Sequence, residues 1–218
     1  MKRAPGTGKM ALAGAGALAA ALLAGSPASA GGSDGLYGRF DGDVELRVQA
    51  GAAFAAGGPA LAAGLAALYL STAGVYVHYT DALGTDAPLV SRSVATGLHL
   101  QPLFVGRYGL NLEQGPAFLD LLVDSLAFEL GAFWSAPRRA AWDVHPGLEA
   151  ALDVALPLFP RATGPFLGVR GALRWRPADF TAGSPGNAID HGAVLSLTLG
   201  WHHVVATHLV DAGDRVPP

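Results

Sequence analysis

Apolar and polar residues alternate along most of the chain from residue 43 onward. In DVELRVQA (43–50), Val44, Leu46, Val48 and Ala50 alternate with Glu45, Arg47 and Gln49. GVYVHYT (74–80) sets Val75, Val77 and Tyr79 against Tyr76, His78 and Thr80. SVATGLHLQ (93–101) sets Val94, Leu98 and Leu100 against Ser93, Ala95, Gly97, His99 and Gln101. The same period recurs in SLAFELGAF (125–133), GLEAALDVALPL (147–158), FLGVRGALRW (166–175) and VLSLTLGWH (194–202). Period-two alternation predicts strands with two unlike faces.

One further segment, GPALAAGLAALYL (58–70), has no polar face. With the preceding AGAAFAAG it is long enough for a membrane helix. Gly57, Gly58 and Pro59 fall in its middle and would break one, so two strands joined by a tight GGP turn are the preferred reading. STAG (71–74) makes the next turn. The total is eight strands, a count that suits a small closed antiparallel barrel. FLDLLVD (118–124) is out of phase with the strand that follows it. After Gly115-Pro116 it predicts a short amphipathic helical turn starting at Pro116, with Asp120 and Asp124 on one face.

The two faces differ in a way that bears on their surroundings. The polar faces carry Gly51, Gly97, Gly131, Gly168 and Gly200 among their charges, whereas the other faces carry Leu, Val, Phe and Trp almost without interruption. Small residues and charges together suit the crowded lumen of a narrow barrel, and a continuous apolar face suits lipid. The inward set comprises Glu45, Glu129, Glu149 and Asp153 against Arg47, Arg170 and Arg174, with His78, His99 and His202. These ten residues are expected to form a paired, structural charge network. A single register of the 147–175 hairpin, centred between Arg161 and Ala162, places Glu149 opposite Arg174 and Asp153 opposite Arg170. Two cross-strand ion pairs are therefore expected. Leu126, Phe128, Leu152, Val154, Leu197 and Leu199 are expected to face lipid.

The N-terminus adds a targeting signal. Lys2, Arg3 and Lys9 precede the apolar run 10–25, and SPASA ends at Ala30 with the small residues a signal peptidase requires. The expected organisation is a signal peptide over 1–30 and a barrel domain over 31–218, with strands over about 38–208 and a polar tail over 209–218. Cleavage leaves eleven arginines against seventeen acids, a net charge of −6, which gives no basic surface for nucleic acid. There is no cysteine among the 218 residues, so disulfide and thiolate–metal chemistry are excluded.

Signal segment, eight alternating strands and charged lumen together resemble the small outer-membrane barrels of the OmpA transmembrane domain and OmpX type. The resemblance is one of pattern and covers about residues 38–208. It implies an all-β, eight-stranded, antiparallel up-and-down transmembrane β-barrel in the outer membrane of a Gram-negative cell. Outer-membrane lipid would surround it, and the barrel-assembly machinery would be its partner during biogenesis. The longer connections (81–91, 135–146 and 177–191) would then face outward.

Two other functions fit the same pattern. One is a lipid-modifying barrel enzyme performing acyl transfer or deacylation, for which Ser93, Ser125 and Ser196 with His78, His99 or His202 are the candidate residues. The other is a soluble lipocalin-like binder. No cofactor is expected. No metal is expected from His202-His203 either, since adjacent strand residues point to opposite faces. GLYGRFDGD (35–43) lacks calcium-loop spacing, and DALGTDAP (81–88) is an acidic loop.

Overall fold

A computed structural model describes residues 37–83, 92–113, 115–136, 141–176 and 192–207. The expected signal peptide, the outer parts of the long connections and the polar tail lie outside the described residues. The chain divides into residues 1–31 and 32–218, and the second unit is the barrel.

Eight strands are present: β1 (Val44–Ala55), β2 (Gly58–Tyr69), β3 (Ala73–Ala82), β4 (Arg92–Leu100), β5 (Ala127–Ala136), β6 (Gly147–Pro157), β7 (Gly164–Trp175) and β8 (Gly192–Val205). Each pairs antiparallel with its sequence neighbours, and β1 also pairs with β8, which closes the barrel. Closure leaves no strand edge exposed.

β2 shows why a segment without polar residues still has two faces. Leu61, Leu65 and Tyr69 point outward and are exposed, while Ala62, Gly64 and Leu68 are buried. Here the faces are sorted by size. The inner face must be small because larger side chains from neighbouring strands fill the space beside it. A Cβ on Gly64 would lie 2.6 Å from His78 Nδ1, and one on Gly131 would lie 2.7 Å from the Tyr76 hydroxyl. The first hairpin turns tightly, with Ala55 paired to Gly58. The next turn comprises Leu70–Thr72, one residue earlier than STAG suggests, because Ala73 and Gly74 already pair in β3.

The connection from β4 to β5 holds two helices, α1 (Pro102–Gly109) and α2 (Ala117–Asp124). The predicted helical turn is α2. Pro116 sits one position earlier than expected, at the N-cap, and Asp120 and Asp124 are buried on one face with Leu121. α1 has no counterpart in the sequence expectation. Leu121 packs with Ala162 of the β6–β7 turn and Val204 of β8, which fixes α2 at the end of the barrel where those elements meet.

The outward face is strongly apolar on every strand. Leu61, Leu65, Val75, Leu98, Leu130 and Leu199 are 52–60% exposed, and Phe54, Phe128, Leu152, Leu173 and Leu197 are likewise exposed. Val154 faces the same way but is half-buried, and Leu126, which precedes β5, is half-buried too. Strand parity also points Tyr69 and Trp201 outward at the helical end, and Tyr79, Trp134 and Trp175 outward at the opposite end.

Candidate functional site

A connected set of polar side chains runs through the interior. Near the helical end, Arg47 Nε donates to Glu45 Oε1 at 2.6 Å, and His202 Nδ1 lies 3.8 Å from the same carboxylate. The His202 ring stacks on Phe166, with centroids 4.1 Å apart. Further along, Arg47 Nη1 lies 3.4 Å from His99 Nε2 and 3.8 Å from Asp153 Oδ2. Glu129 is the hub of the central layer. Its Oε1 meets His99 Nδ1 at 2.8 Å and His78 Nε2 at 3.4 Å, while its Oε2 accepts from Arg170 Nε at 2.6 Å.

The chain of contacts continues toward the loop end. Arg170 Nη2 donates to Glu149 Oε1 at 2.5 Å, and Tyr76 donates to the same oxygen at 3.2 Å. Arg174 donates to Glu149 Oε2 at 2.6 Å and to Ser93 Oγ at 2.9 Å. Ser93 and Thr80 share a 2.6 Å hydroxyl hydrogen bond. All ten residues singled out in the sequence therefore sit inside one barrel and touch one another in a continuous series. Alternation places them there: each is separated by an even number of residues from other inward positions on its strand.

The hairpin register is the expected one, with Glu149 opposite Arg174 and Asp153 opposite Arg170. Only the first of the two ion pairs forms. Arg170 turns away from Asp153 and bridges Glu129 and Glu149, because a guanidinium can satisfy two carboxylates at once and both glutamates reach further into the lumen than the shorter aspartate. Asp153 keeps Arg47 at 3.8 Å, and its Oδ1 has no hydrogen-bond partner although the residue is 4% exposed.

A second ionic cluster, not anticipated from the sequence, closes the helical end. Arg39, which precedes β1, donates to Asp124 at 2.7 Å and to Glu113 at 3.2 Å. Arg107 of α1 binds Asp124 at 2.9 Å and also Asp120. Tyr37 donates to Asp120 at 2.8 Å. Burial works against the Asp120 charge, but the hydrogen bonds from Arg107 and Tyr37 outweigh it and hold the carboxyl below its ordinary range. Burial, followed by the Asp120 hydrogen bond, pushes the Tyr37 phenol up to about 12. Burial, followed by the neighbouring Asp124 carboxylate, raises Glu113 to about 7. Arg39 also lies over the Phe104 ring, 4.4 Å from its centroid. The signal available in the sequence was the pair of aspartates four apart in α2. Nothing local tied Arg39 to them across more than 80 residues.

At the loop end lies a cavity of about 100 Å³ lined by alanines together with Thr80, Ser93, Ser135, Phe133 and Arg174. The candidate serines have other partners. Ser93 is bound to Thr80 and Arg174, and Ser125 donates to the Leu122 carbonyl and accepts from the Ala155 amide. Among the described residues, none of Ser93, Ser125 and Ser196 is hydrogen-bonded to a histidine.

No family model matches the chain, and a search of curated proteins returns no match.

Proposed function

We propose that the chain is an outer-membrane β-barrel whose lumen is plugged by its own charge network and whose role is structural, presenting its long loops on the outer side. The observation that carries this reading is the inversion of polarity across the wall. Large apolar side chains on all eight strands face out, while Glu45, Glu129, Glu149, Asp153, Arg47 and Arg170 are buried within. A water-soluble barrel gains nothing from that arrangement, since leaving a Leu exposed forgoes about 1.5–3 kcal/mol of burial. In a bilayer the outward leucines are in their preferred medium.

Two further features support it. Outward aromatics stand at both ends of the apolar band, Tyr69 and Trp201 at one and Tyr79, Trp134 and Trp175 at the other, as in interfacial girdles. The helices also leave Val105, Tyr108, Phe118 and Leu119 exposed, a surface suited to the membrane edge. Strands of 9–14 residues are long enough to span when tilted. The partners of Ser93 and Ser125 favour a structural over a lipid-modifying role. By this reading residues 1–30 are an export signal, and the assembly machinery inserts the mature chain.

The test is fractionation and gel migration. The protein should require detergent for extraction from membranes and should migrate faster unheated than boiled. Recovery in the periplasmic fraction without detergent, with no heat-dependent shift, would instead establish a soluble binder.

A further inference from the structure

The lumen carries an unbalanced charge at its centre. Along the strands Glu45, Glu129, Glu149 and Asp153 face Arg47, Arg170 and Arg174, which leaves one negative charge over when the histidines are neutral. The imbalance is localised: every carboxylate except Asp153 has a cation within 2.6 Å, and Asp153 Oδ1 is buried without a partner.

Beside Asp153 are the donors a transition metal favours. One ligand atom each from His99, Glu129 and Asp153 lies within 4.8 Å of the others, and all three residues are buried. His78 Nε2 stands 3.4 Å from the same Glu129 oxygen that His99 contacts. Two imidazoles and two carboxylates form the nitrogen–oxygen set selected by Zn²⁺, Mn²⁺ or Fe²⁺ rather than by Ca²⁺ or Mg²⁺. The set is drawn from β3, β4, β5 and β6, so only the closed barrel assembles it.

We propose that His99, Glu129 and Asp153, with His78, form a divalent transition-metal site in the middle of the lumen. The surrounding residues are arranged to hold the ligands in place. Arg170 fixes the other oxygen of Glu129, and Gln101 Nε2 lies 3.3 Å from His99 Nε2. In the arrangement described, His99 Nε2 faces the Arg47 and Gln101 donors and so carries the lone pair, with the proton on Nδ1 toward Glu129. Metal binding at Nδ1 requires that proton to move to Nε2, the Gln101 amide to turn over and accept it, and Arg47 Nη1 to draw back toward Glu45. Once turned, the Gln101 carbonyl would hold the ligating tautomer through the remote nitrogen, the usual support for a ligating histidine. A small void of about 10 Å³ is lined by His78, Thr80, Arg170 and Arg174. Thr80 and Arg174 also line the cavity at the loop end, so the two adjoin.

The site depends on barrel closure and not on the membrane, so its test is separate from that of the proposed role. The folded chain in detergent is loaded with Zn²⁺ or Co²⁺ and desalted. Its metal content and the visible spectrum of the Co²⁺ form are then measured, with folding checked by circular dichroism. One ion per chain is expected, with a Co²⁺ spectrum of mixed imidazole–carboxylate ligation. Asp153→Asn and His99→Gln should each abolish retention, and Gln101→Ala should weaken it about tenfold. His203→Ala, on the outward side of β8, should retain the ion. Absence of retained metal in the folded wild type would overturn the proposal, and so would equal retention by folded Asp153→Asn. If that variant does not fold, the wild-type spectrum decides alone: a fully aqueous Co²⁺ spectrum would reject the site.

Discussion

Arg170 and Asp153 stand opposite each other in the sheet, yet they differ sharply in what they contribute. Arg170 neutralises two buried glutamates, so removing it strands charge in a dry interior. Arg170→Met should cost about 3–5 kcal/mol, the range for breaking a buried ion pair. Asp153→Asn, without added metal, should be neutral or stabilising, because it removes the carboxylate lacking a close partner. Urea unfolding from liposomes measures both. Equal, small effects would mean that the lumen is solvated. Inward placement was legible in the sequence because parity alone decides it, and Glu149–Arg174 was legible because directly opposed residues are close. The turn of Arg170 toward Glu129 was not. That contact skips a strand and depends on how far each side chain reaches across the interior.

At the level of elements, the helical cap is the part whose behaviour should vary with pH. Glu113 is raised from 4.5 to about 7, with Arg39, Arg107, Asp120, Asp124 and Tyr37 around it. Between those values the folded cap retains a proton that the unfolded segment has released, so the stability gained from it is lost as pH rises through that window. Amide protection factors in α1 and α2, corrected for intrinsic exchange, should be higher at pH 5 than at pH 8. Glu113→Gln should remove the difference, and a wild-type cap equally protected at both pH values would refute the assignment. The sequence pointed to α2 through its broken phase and Pro116. It did not point to α1, where Gly106 and Gly109 lower helix propensity and the eight residues of PLFVGRYG are too few for a clear period. What holds α1 in place is tertiary, namely Phe104 beneath Arg39 and Arg107 on two aspartates.

For the whole molecule, the proposed medium fixes the cost of a charge on the outer wall. Leu197→Arg, near the middle of β8, should destabilise the inserted barrel by about 2–4 kcal/mol. Assembly equal to wild type would show that this face meets water. N-terminal sequencing of membrane-fraction protein should begin near Gly31, and recovery of Met1 would contradict export with cleavage. Eight strands and their order were legible because alternation, turn residues and strand count all point to one closed sheet. The aromatic rows at the two ends were not, since they emerge only when strands are set in register. Closure also has a kinetic consequence. Glu129 on β5 is satisfied by groups from β3, β4 and β7, and Arg39 ahead of β1 is tied to helices that follow β4. A hairpin-by-hairpin intermediate would carry these charges unpaired, so the barrel should form in one cooperative step. Fragments cut between β4 and β5 should each fail to insert alone, and when mixed they should complement each other into a single heat-modifiable species.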